Sequence, residues 1–430
     1  MKALVGILLL AAFTFQSCED KCKVENTYVY FEPVYSTPAE IKAAVSFKPA
    51  EQMVAPGKIY LKDDILYVNE TGKGIHVFDN TSPANPIPLG FLNIPGSYDM
   101  AIIGSTLYAD SFVDLVVFDV SDVTKIKEIN RIEGLFDHFS SMGYLSNTSQ
   151  GILTSWKEVK NVSVTENNCS QMLQPWGGIY YSRGIAMDMN AAVSFSSKSS
   201  SAPSSGAGTT GVAGSTSRFT IANNHLYTLD SYFIDVVDVS NAISPVKKNE
   251  IQVSWLAETL FPLDKTLFVG TRAGLYIFDL ANPDLPSQVS QYEHIYSCDP
   301  VVVEGDYAYV TLHSGDGCHV ETNQLEVINI SDLKNPTLTK VYPMTHPTGL
   351  GIDNGTLFIC DGNAGLKVFD ATNVNTIDTN QLAHYDNINA FDIIPFEKTA
   401  IVIGATGLYQ YDYSDVTKIK LLSKIAIGNQ

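Results

Sequence analysis

Five ionisable residues stand at matching places in a repeated pattern and could form one charged site. They are two cations and three carboxylates: Lys58, Asp99, Arg218, Asp299 and Asp392. Each lies eight or nine residues before the aligned residue of a recurring apolar run, as Asp99 does before Leu107. Converging carboxylates could bind a divalent ion or another polar ligand. The two cations would oppose the binding of a metal ion. Alternatively, the charges could compensate one another in an ion-pair belt that stabilises the fold.

The apolar runs that would position these charges occur in pairs. Seven of them end in Asp or Asn and pass into a turn, and their closing residues are Asp79, Asp119, Asp238, Asp279, Asn329, Asp370 and Asp412. A second run precedes each by about ten residues, and the spacing from Leu66 to Leu107 and from Leu226 to Leu267 is 41 residues. Short β-rich runs with this period are typical of propeller blades with about four strands each. We therefore predict an all-β propeller with seven recognisable four-stranded blades.

The geometry of a propeller explains why the five charges should meet. Its blades converge at their first strands, and the five residues open the first strands of their blades. The two remaining places of this ring are taken by Thr259 and Gly349. The closing Asp residues could suggest metal ligands, but an Asp followed by Ser, Thr or Asn more often accepts hydrogen bonds from the amides of the next turn.

The third-strand runs resemble a known family. DLVVFDVSD from Asp114 and IDVVDVSNA from Ile234 are similar to the LVIVD repeat of bacterial and archaeal surface proteins. The resemblance covers Gly57 to about Gly134 and Arg218 to Gly428, and it implies a propeller more clearly than a function. Gln410 departs from the pattern where an aliphatic residue is expected. We therefore expect the third strand of the last blade to lie nearer solvent or an edge.

The first residues predict export and lipidation. Residues 1–17 read as a signal peptide, because Lys2 precedes an apolar stretch that is too short to span a bilayer. FQSC, with Ser17 before Cys18, resembles a lipobox, which implies lipidation at Cys18; the alternative is an ordinary signal peptide with a free Cys18. The acidic pair Glu19-Asp20 resembles export signals of outer-membrane lipoproteins. This predicts a cell-envelope protein at the outer membrane, exposed at the surface.

Residues 18–56 are expected to form a lipidated tether with some order of its own. Within it, Pro38 to Ala44 could form one or two helical turns, and VSFKP could add an edge strand to the ring. The propeller would then occupy residues 57–430.

An insertion at 135–217 interrupts the repeats between the second and third blades. Its first part alternates like a strand and could form an eighth blade or a projecting hairpin. The Gly/Ser-rich stretch 195–217 is predicted to be a flexible loop, because it has little apolar surface to bury. Its glycines lack the strand-turn-helix setting of a phosphate-binding loop. Nearby aromatic residues could form a blade core or a binding patch, and they are Trp156, Trp176, Tyr180 and Tyr181.

The net charge limits the classes of binding partner, and the cysteines and histidines limit the possible disulfides and metal sites. The chain has 27 basic and 46 acidic residues and a net charge of −19, which disfavours nucleic acid. Cys298 and Cys318 are predicted to pair, because they lie in loops on one face of one blade; closing about 20 residues would stabilise by roughly 3 kcal/mol. Cys360, inside an apolar run, reads as a buried thiol. His313 and His319 could supply one or two metal ligands, although their spacing matches no strong zinc template, and His346 is expected on a neighbouring loop of the same face.

Three function classes remain open at this point. The anchor, the repeats and the missing catalytic signature favour a binding scaffold for protein or glycan, without cofactor or catalysis. The alternative is a hydrolase or lactonase-like enzyme that uses a divalent cation in the central channel. The third is a purely structural component of the envelope.

Overall fold

The structure is a computed structural model that describes residues 21–136, 150–168, 210–230, 232–253, 257–294, 300–314 and 322–428. The chain divides into two compact units, one of residues 1–34 and 155–189, the other of residues 35–154 and 190–430. The smaller unit contains most of a two-stranded sheet formed by β1 (Lys21–Ser36) and β11 (Ile152–Asn168). No helix among the described residues has the length and apolar character needed to cross a membrane.

The larger unit contains seven four-stranded antiparallel blades, as the repeats predicted, each built from consecutive strands. Blades 1 to 3 consist of β3 (Pro56–Lys62), β4 (Ile65–Glu70), β5 (Gly74–Asp79), β6 (Ile87–Asn93); β7 (Met100–Ile103), β8 (Thr106–Ser111), β9 (Asp114–Asp119), β10 (Lys127–Ile132); and β13 (Phe219–Ala222), β14 (His225–Asp230), β15 (Phe233–Asp238), β16 (Val246–Gln252). Blades 4 and 5 consist of β17 (Ala257–Leu263), β18 (Thr266–Thr271), β19 (Gly274–Asp279), β20 (Ser287–Glu293); and β21 (Val301–Glu304), β22 (Tyr307–Leu312), β23 (Gln324–Asn329), β24 (Thr337–Pro343). Blades 6 and 7 consist of β25 (Leu350–Asp353), β26 (Thr356–Cys360), β27 (Leu366–Asp370), β28 (Gln381–Tyr385); and β29 (Ala390–Phe396), β30 (Thr399–Gly404), β31 (Gly407–Asp412), β32 (Lys420–Ala426).

The first strands of the blades form the inner wall of the ring. Each packs against the first strands of the two neighbouring blades, and β29 packs against β3 to close the circle. A short 3₁₀ helix at Ile377–Thr379 lies in the connection between β27 and β28. Each blade, including the last, is therefore built from consecutive strands. Among the described residues, no strand near one end of the chain completes a blade near the other end.

The segment before blade 1 has the two elements that the sequence predicted. Helix α1 (Pro38–Ala44) begins with a capping box, in which Thr37 Oγ1 accepts from Glu40 N at 3.2 Å and Glu40 accepts from Thr37 N at 2.7 Å. Strand β2 (Ser46–Lys48) pairs with β6 as an outer fifth strand of blade 1. Strand β1, in contrast, was not foreseen in the predicted tether.

The insertion forms no blade in its described part. Strand β11 pairs with β1, and the short strand β12 (Val212–Ala213) pairs antiparallel with β3 on the inner side of blade 1. The described residues of the insertion, 135–136, 150–168 and 210–217, therefore form no eighth blade. The bonding partners of both strands lie far away in the sequence, so strand-like alternation alone could not identify them.

The residues that close the third strands cap the following turn, which confirms the hydrogen-bonding interpretation. Asp79 Oδ1 accepts from Thr81 N at 2.9 Å and from Thr81 Oγ1 at 2.6 Å. At the other six closing residues the side-chain Oδ1 likewise accepts from the backbone N–H two residues later in the chain; these residues are Asp119, Asp238, Asp279, Asn329, Asp370 and Asp412.

Neighbouring blades pack through apolar side chains, and one pair of repeat positions is apolar at every junction except that between blades 7 and 1. At the other junctions the fourth residue of one third-strand motif shares an apolar cluster with the seventh residue of the next, as Val117 does with Val239. At the closing junction these positions are Gln410 and Asn80. Gln410 is 0% exposed, and the two amides bond reciprocally at 3.0 and 2.7 Å. The expectation that Gln410 marks a solvent-facing edge is therefore wrong, because Asn80 satisfies its amide in the interior.

Candidate functional site: the axial channel

The structure brings four of the five predicted charges together at one end of the channel. Lys58 lies on β3, Asp392 on β29, and Asp99 and Arg218 directly precede β7 and β13. Lys58 and Asp392 both bond to Thr216, and Asp99 accepts from the backbone of Arg218, so the four residues lie close together. Thr259, at the matching place on β17, is 1% exposed, and Gly349 is buried. Asp299 lies outside the described residues.

A stretch of the insertion fills the space between the first strands. We call residues 210–218 the axial segment. It runs antiparallel to β3, from a bridge between Thr210 and Ile103 to the start of β13. Its backbone also bonds to blades 2, 1 and 4, through Gly211 N to Ile102 O at 3.3 Å, Gly214 N to Ile59 O at 2.9 Å, and Leu260 N to Ser217 O at 3.0 Å. The channel is therefore occupied by the chain itself.

The end of the predicted flexible loop is thus buried and paired. Ser215 is 0% exposed, and Thr216 and Ser217 are 5% and 3% exposed. The prediction of a flexible loop over 195–217 is wrong for residues 210–217, because these residues are ordered by polar contacts with the channel wall. Low apolar content argues against independent order, but it does not argue against order inside a polar channel.

Asp392 anchors the middle of the axial segment. Its Oδ1 accepts from Ser215 N at 2.7 Å, from Ser215 Oγ at 2.8 Å and from Ile393 N at 2.8 Å. Its Oδ2 accepts from Thr216 Oγ1 at 3.1 Å. Ser215 Oγ in turn accepts from Leu350 N of blade 6 at 3.1 Å. Both carboxylate oxygens are therefore engaged by protein donors.

Asp99 anchors the C-terminal end of the axial segment in the same way. It accepts from the backbone N–H groups of Arg218, of Phe219 at 3.2 Å and of Met100 at 2.7 Å, and from Ser217 Oγ at 3.4 Å. Burial raises the pKa of Asp99, while Lys58 and these backbone donors oppose the rise. The carboxylate thus serves as a cap for the chain that enters blade 3.

Lys58 lies between the two carboxylates and donates from Nζ to Thr216 O. Burial lowers its pKa to about 8, and the charges of Asp99 and Asp392 limit the fall. Arg218 is partly exposed and donates from its guanidinium to Leu229 O at 2.5 Å. The arrangement is therefore neither an open ligand site nor a simple ion-pair belt, because the segment's amides and hydroxyls provide most of the partners.

Two glycines allow the segment to pass so close to the wall. A Cβ at Gly214 would lie 2.2 Å from Asp392 Oδ2, and one at Gly211 would lie 2.2 Å from the ring of Tyr60 and 2.5 Å from Leu61 O. Close packing thus explains the glycines at 211 and 214.

Sequence reasoning missed a set of carboxylates at the ends of second strands. In three blades such a group accepts from two backbone amides of the loop that leads into the blade's own first strand. The three sets are Glu70 with Val54 and Ala55, Asp110 with Tyr98 and Asp99, and Asp361 with Thr345 and His346. Burial raises the pKa of Asp110 to about 6. The signal was a carboxylate just after an apolar second-strand run.

The remaining predicted residues are partly described. The rings of His313 and His346 lie 5.0 Å apart in an edge-to-face arrangement. Cys360 is a buried free thiol, as predicted. The proposed metal ligand His319, the predicted disulfide of Cys298 with Cys318, and the lipidation site Cys18 lie outside the described residues.

The chain is similar to several known proteins. Residues 297–343, which contain blade 5, match the family model described as the LVIVD repeat. The computationally designed Ika8 protein is 9% identical with a TM-score of 0.50, over 89% of this chain and 91% of that one. Saccharomyces cerevisiae Sqt1 is 8% identical with a TM-score of 0.47, over 90% and 88% of the two chains. Kluyveromyces lactis Hsv2 is 10% identical with a TM-score of 0.48, over 88% and 100%.

No curated protein matches the sequence significantly. At these identities the structural likeness concerns the fold alone. The seven blades and the match in the fifth blade together lead to one assignment: the chain is a seven-bladed β-propeller that contains an LVIVD repeat.

Proposed function

We propose that the chain is a non-catalytic binding scaffold for protein or glycan, held in the cell envelope by a lipid on Cys18. The observation that carries this proposal is the filled channel. The oxygens of Asp99 and Asp392 accept from the axial segment, so recognition is assigned to surfaces outside the channel.

The same observation disfavours a hydrolase with a divalent ion at the axis. Such an ion would have to displace Ser215, Thr216 and Ser217 from the carboxylates and share the site with the Lys58 ammonium. Calcium and manganese titrations test this reasoning. Saturable binding that is lost in both Asp99→Asn and Asp392→Asn would contradict it.

The insertion is the candidate recognition surface. Trp156 lies on β11, outside the compact unit that contains the blades, and its side chain is partly exposed. This setting argues against the blade-core interpretation for Trp156 and supports the binding interpretation. Exposed aromatic side chains are common anchors of binding surfaces. Trp176, Tyr180 and Tyr181, which the sequence groups with Trp156, lie outside the described residues, and we propose that they take part in the same recognition.

A glycan array and a pull-down from envelope extract test the scaffold proposal. The probe is the chain from residue 19, compared with a variant that has Ala at Trp156, Trp176, Tyr180 and Tyr181. A matched control has Ser at four exposed apolar residues of the propeller's outer strands and loops, Ile87, Leu285, Leu338 and Leu421. We expect a reproducible ligand that the aromatic variant loses and the control keeps. The absence of any ligand, or equal loss in both variants, would contradict the proposal.

Membrane attachment is tested separately. Cys18→Ala should release the protein from the membrane fraction or leave it unprocessed, because the acyl chains that supply membrane affinity are missing. Retention in the membrane at the mature mass would contradict lipidation. Protease treatment of intact cells then tests exposure at the outer surface.

A further inference from the structure

A histidine and two aspartates converge where blade 3 meets blade 4, away from the axial channel. His225 begins β14, Asp238 ends β15 directly opposite it, and Asp284 follows β19 in blade 4. His225 Nε2 lies 2.7 Å from Asp284 Oδ1, and the nearest ligand atoms of the three residues all lie within 4.8 Å of one another. One ion could therefore contact all three after small side-chain shifts.

Both ring nitrogens of His225 face oxygen atoms. Nδ1 lies 2.9 Å from Asn223 O, which can only accept, and Nε2 faces the carboxylate of Asp284, which also accepts when ionised. A neutral imidazole has a single N–H, so it cannot donate to both. A metal ion between Nε2 and the carboxylate would leave the single N–H of the neutral ring on Nδ1, where it can donate to Asn223 O. A backbone carbonyl on the other ring nitrogen is the usual support of a metal-bound histidine.

The two aspartates are held in position by contacts of their own. Asp238 Oδ1 accepts from Ser240 N at 2.9 Å, which leaves Oδ2 directed at the junction. The backbone of Asp284 accepts from Asn249 Nδ2 at 2.8 Å. The first contact orients the Asp238 carboxylate, and the second holds the backbone of Asp284, whose half-exposed side chain can turn toward an ion.

His225 and Asp284 meet at one of the seven blade junctions. The first positions of the second strands are Ile65, Thr106, His225, Thr266, Tyr307, Thr356 and Thr399. The fifth positions after the strand-closing residues are Ala84, Thr124, Ile243, Asp284, Lys334, Asn375 and Thr417. His225 is the one histidine of the first set, Asp284 is the one carboxylate of the second, and the two side chains lie in contact.

Lys248 supplies positive charge to the same carboxylates. Its Nζ lies 2.9 Å from Asp238 Oδ2 and 3.7 Å from Asp284 Oδ1, on a side chain that is 31% exposed. The ammonium can swing into solvent on its flexible stem, so it competes with an ion without blocking the site.

We propose that His225, Asp238 and Asp284 form a site for a divalent transition metal ion of the zinc class that clamps blade 3 to blade 4. One imidazole and two carboxylates are ligands that zinc accepts at roughly 2.0–2.2 Å. Two such ligands on a tetrahedral ion lie about 3.3 Å apart, so the 2.7 Å contact must open by less than 1 Å. The site is independent of the scaffold function and of the axial channel.

Isothermal titration of the chelator-treated chain with zinc sulfate at pH 7.5 tests the proposal, together with thermal melts. We expect one ion per chain and a higher melting temperature with zinc, since the ion joins two blades. His225→Gln should weaken binding by at least about 100-fold. Lys248→Met should bind more tightly than the natural chain, because no ammonium has to leave.

Two further variants serve as controls. Asp284→Asn changes a half-exposed side chain, so it tests the ligand set in a chain that still folds. His384→Gln removes an exposed histidine of blade 6 and should leave binding unchanged. The proposal is overturned by a natural chain and a Lys248→Met variant that both fail to bind zinc below millimolar concentration. It is equally overturned by binding that survives both His225→Gln and Asp284→Asn.

Discussion

Replacing Gln410 by Leu should destabilise the propeller even though Leu resembles the residues at the same position of the other blades. The substitution removes both hydrogen bonds to Asn80, whose side chain is only 5% exposed. A buried amide without a partner costs about 1–3 kcal/mol, and the apolar burial gained by the new side chain does not help Asn80. We expect a loss of about 2 kcal/mol in the free energy of unfolding.

The double variant distinguishes pairing from simple packing. With Asn80→Leu and Gln410→Leu together, the junction becomes apolar like the other six, and stability should return to within about 1 kcal/mol of the natural chain. Urea unfolding followed by circular dichroism provides the free energies for this double-mutant cycle. Additive losses in the double variant would refute the reasoning, because they would show that the two amides do not depend on each other.

Three further substitutions test the channel. Gly214→Ala should destabilise by several kcal/mol, since its Cβ would lie 2.2 Å from Asp392 Oδ2, while Gly104→Asn, at a turn with open space, should shift the melting temperature little. Arg218→Ala should cost about 1–3 kcal/mol and push the pKa of Asp110 higher, because this guanidinium opposes the effect of burial there. Burial raises the pKa of Asp110 from 3.8 to about 6, so the folded chain keeps a proton that the unfolded chain has lost. The contribution of this carboxyl to stability therefore falls as pH rises from 3.8 to about 6, and Asp110→Asn should flatten that part of the stability curve; an unchanged curve would contradict the assignment.

Local sequence patterns predicted the blades because each blade is built from neighbouring residues. The 41-residue spacing, the strand-closing residues and the turn signals all act within one repeat, and they led to seven four-stranded blades. Helix α1 was likewise predicted from consecutive residues, Pro38 to Ala44, and the structure adds the capping box of Thr37 and Glu40. Aligning the repeats also placed Lys58, Asp99 and Asp392 near the axis, since symmetry relates equivalent positions.

Contacts between distant residues could not be read in the same way. The partner of Gln410 lies 330 residues away, so the departure from the pattern looked like exposure. The two departures occupy facing positions of blades 7 and 1, and comparing exceptions between repeats could have paired them. The axial segment gave no such signal, because Ser215 and Thr216 obtain their order from Asp392 and not from their own sequence.

The position of the axial segment has a consequence for the order in which the molecule is built. The segment precedes blades 3 to 7 in the chain and continues into the protein at its Arg218 end, so it need not be threaded through a finished ring. The later blades can instead assemble around it during synthesis, with Asp392 of the last blade reaching Ser215 only when the circle is nearly complete. The final step then joins blade 7 to blade 1 and closes the channel wall around the axial segment at the same time. The axial segment is therefore enclosed as the ring is completed.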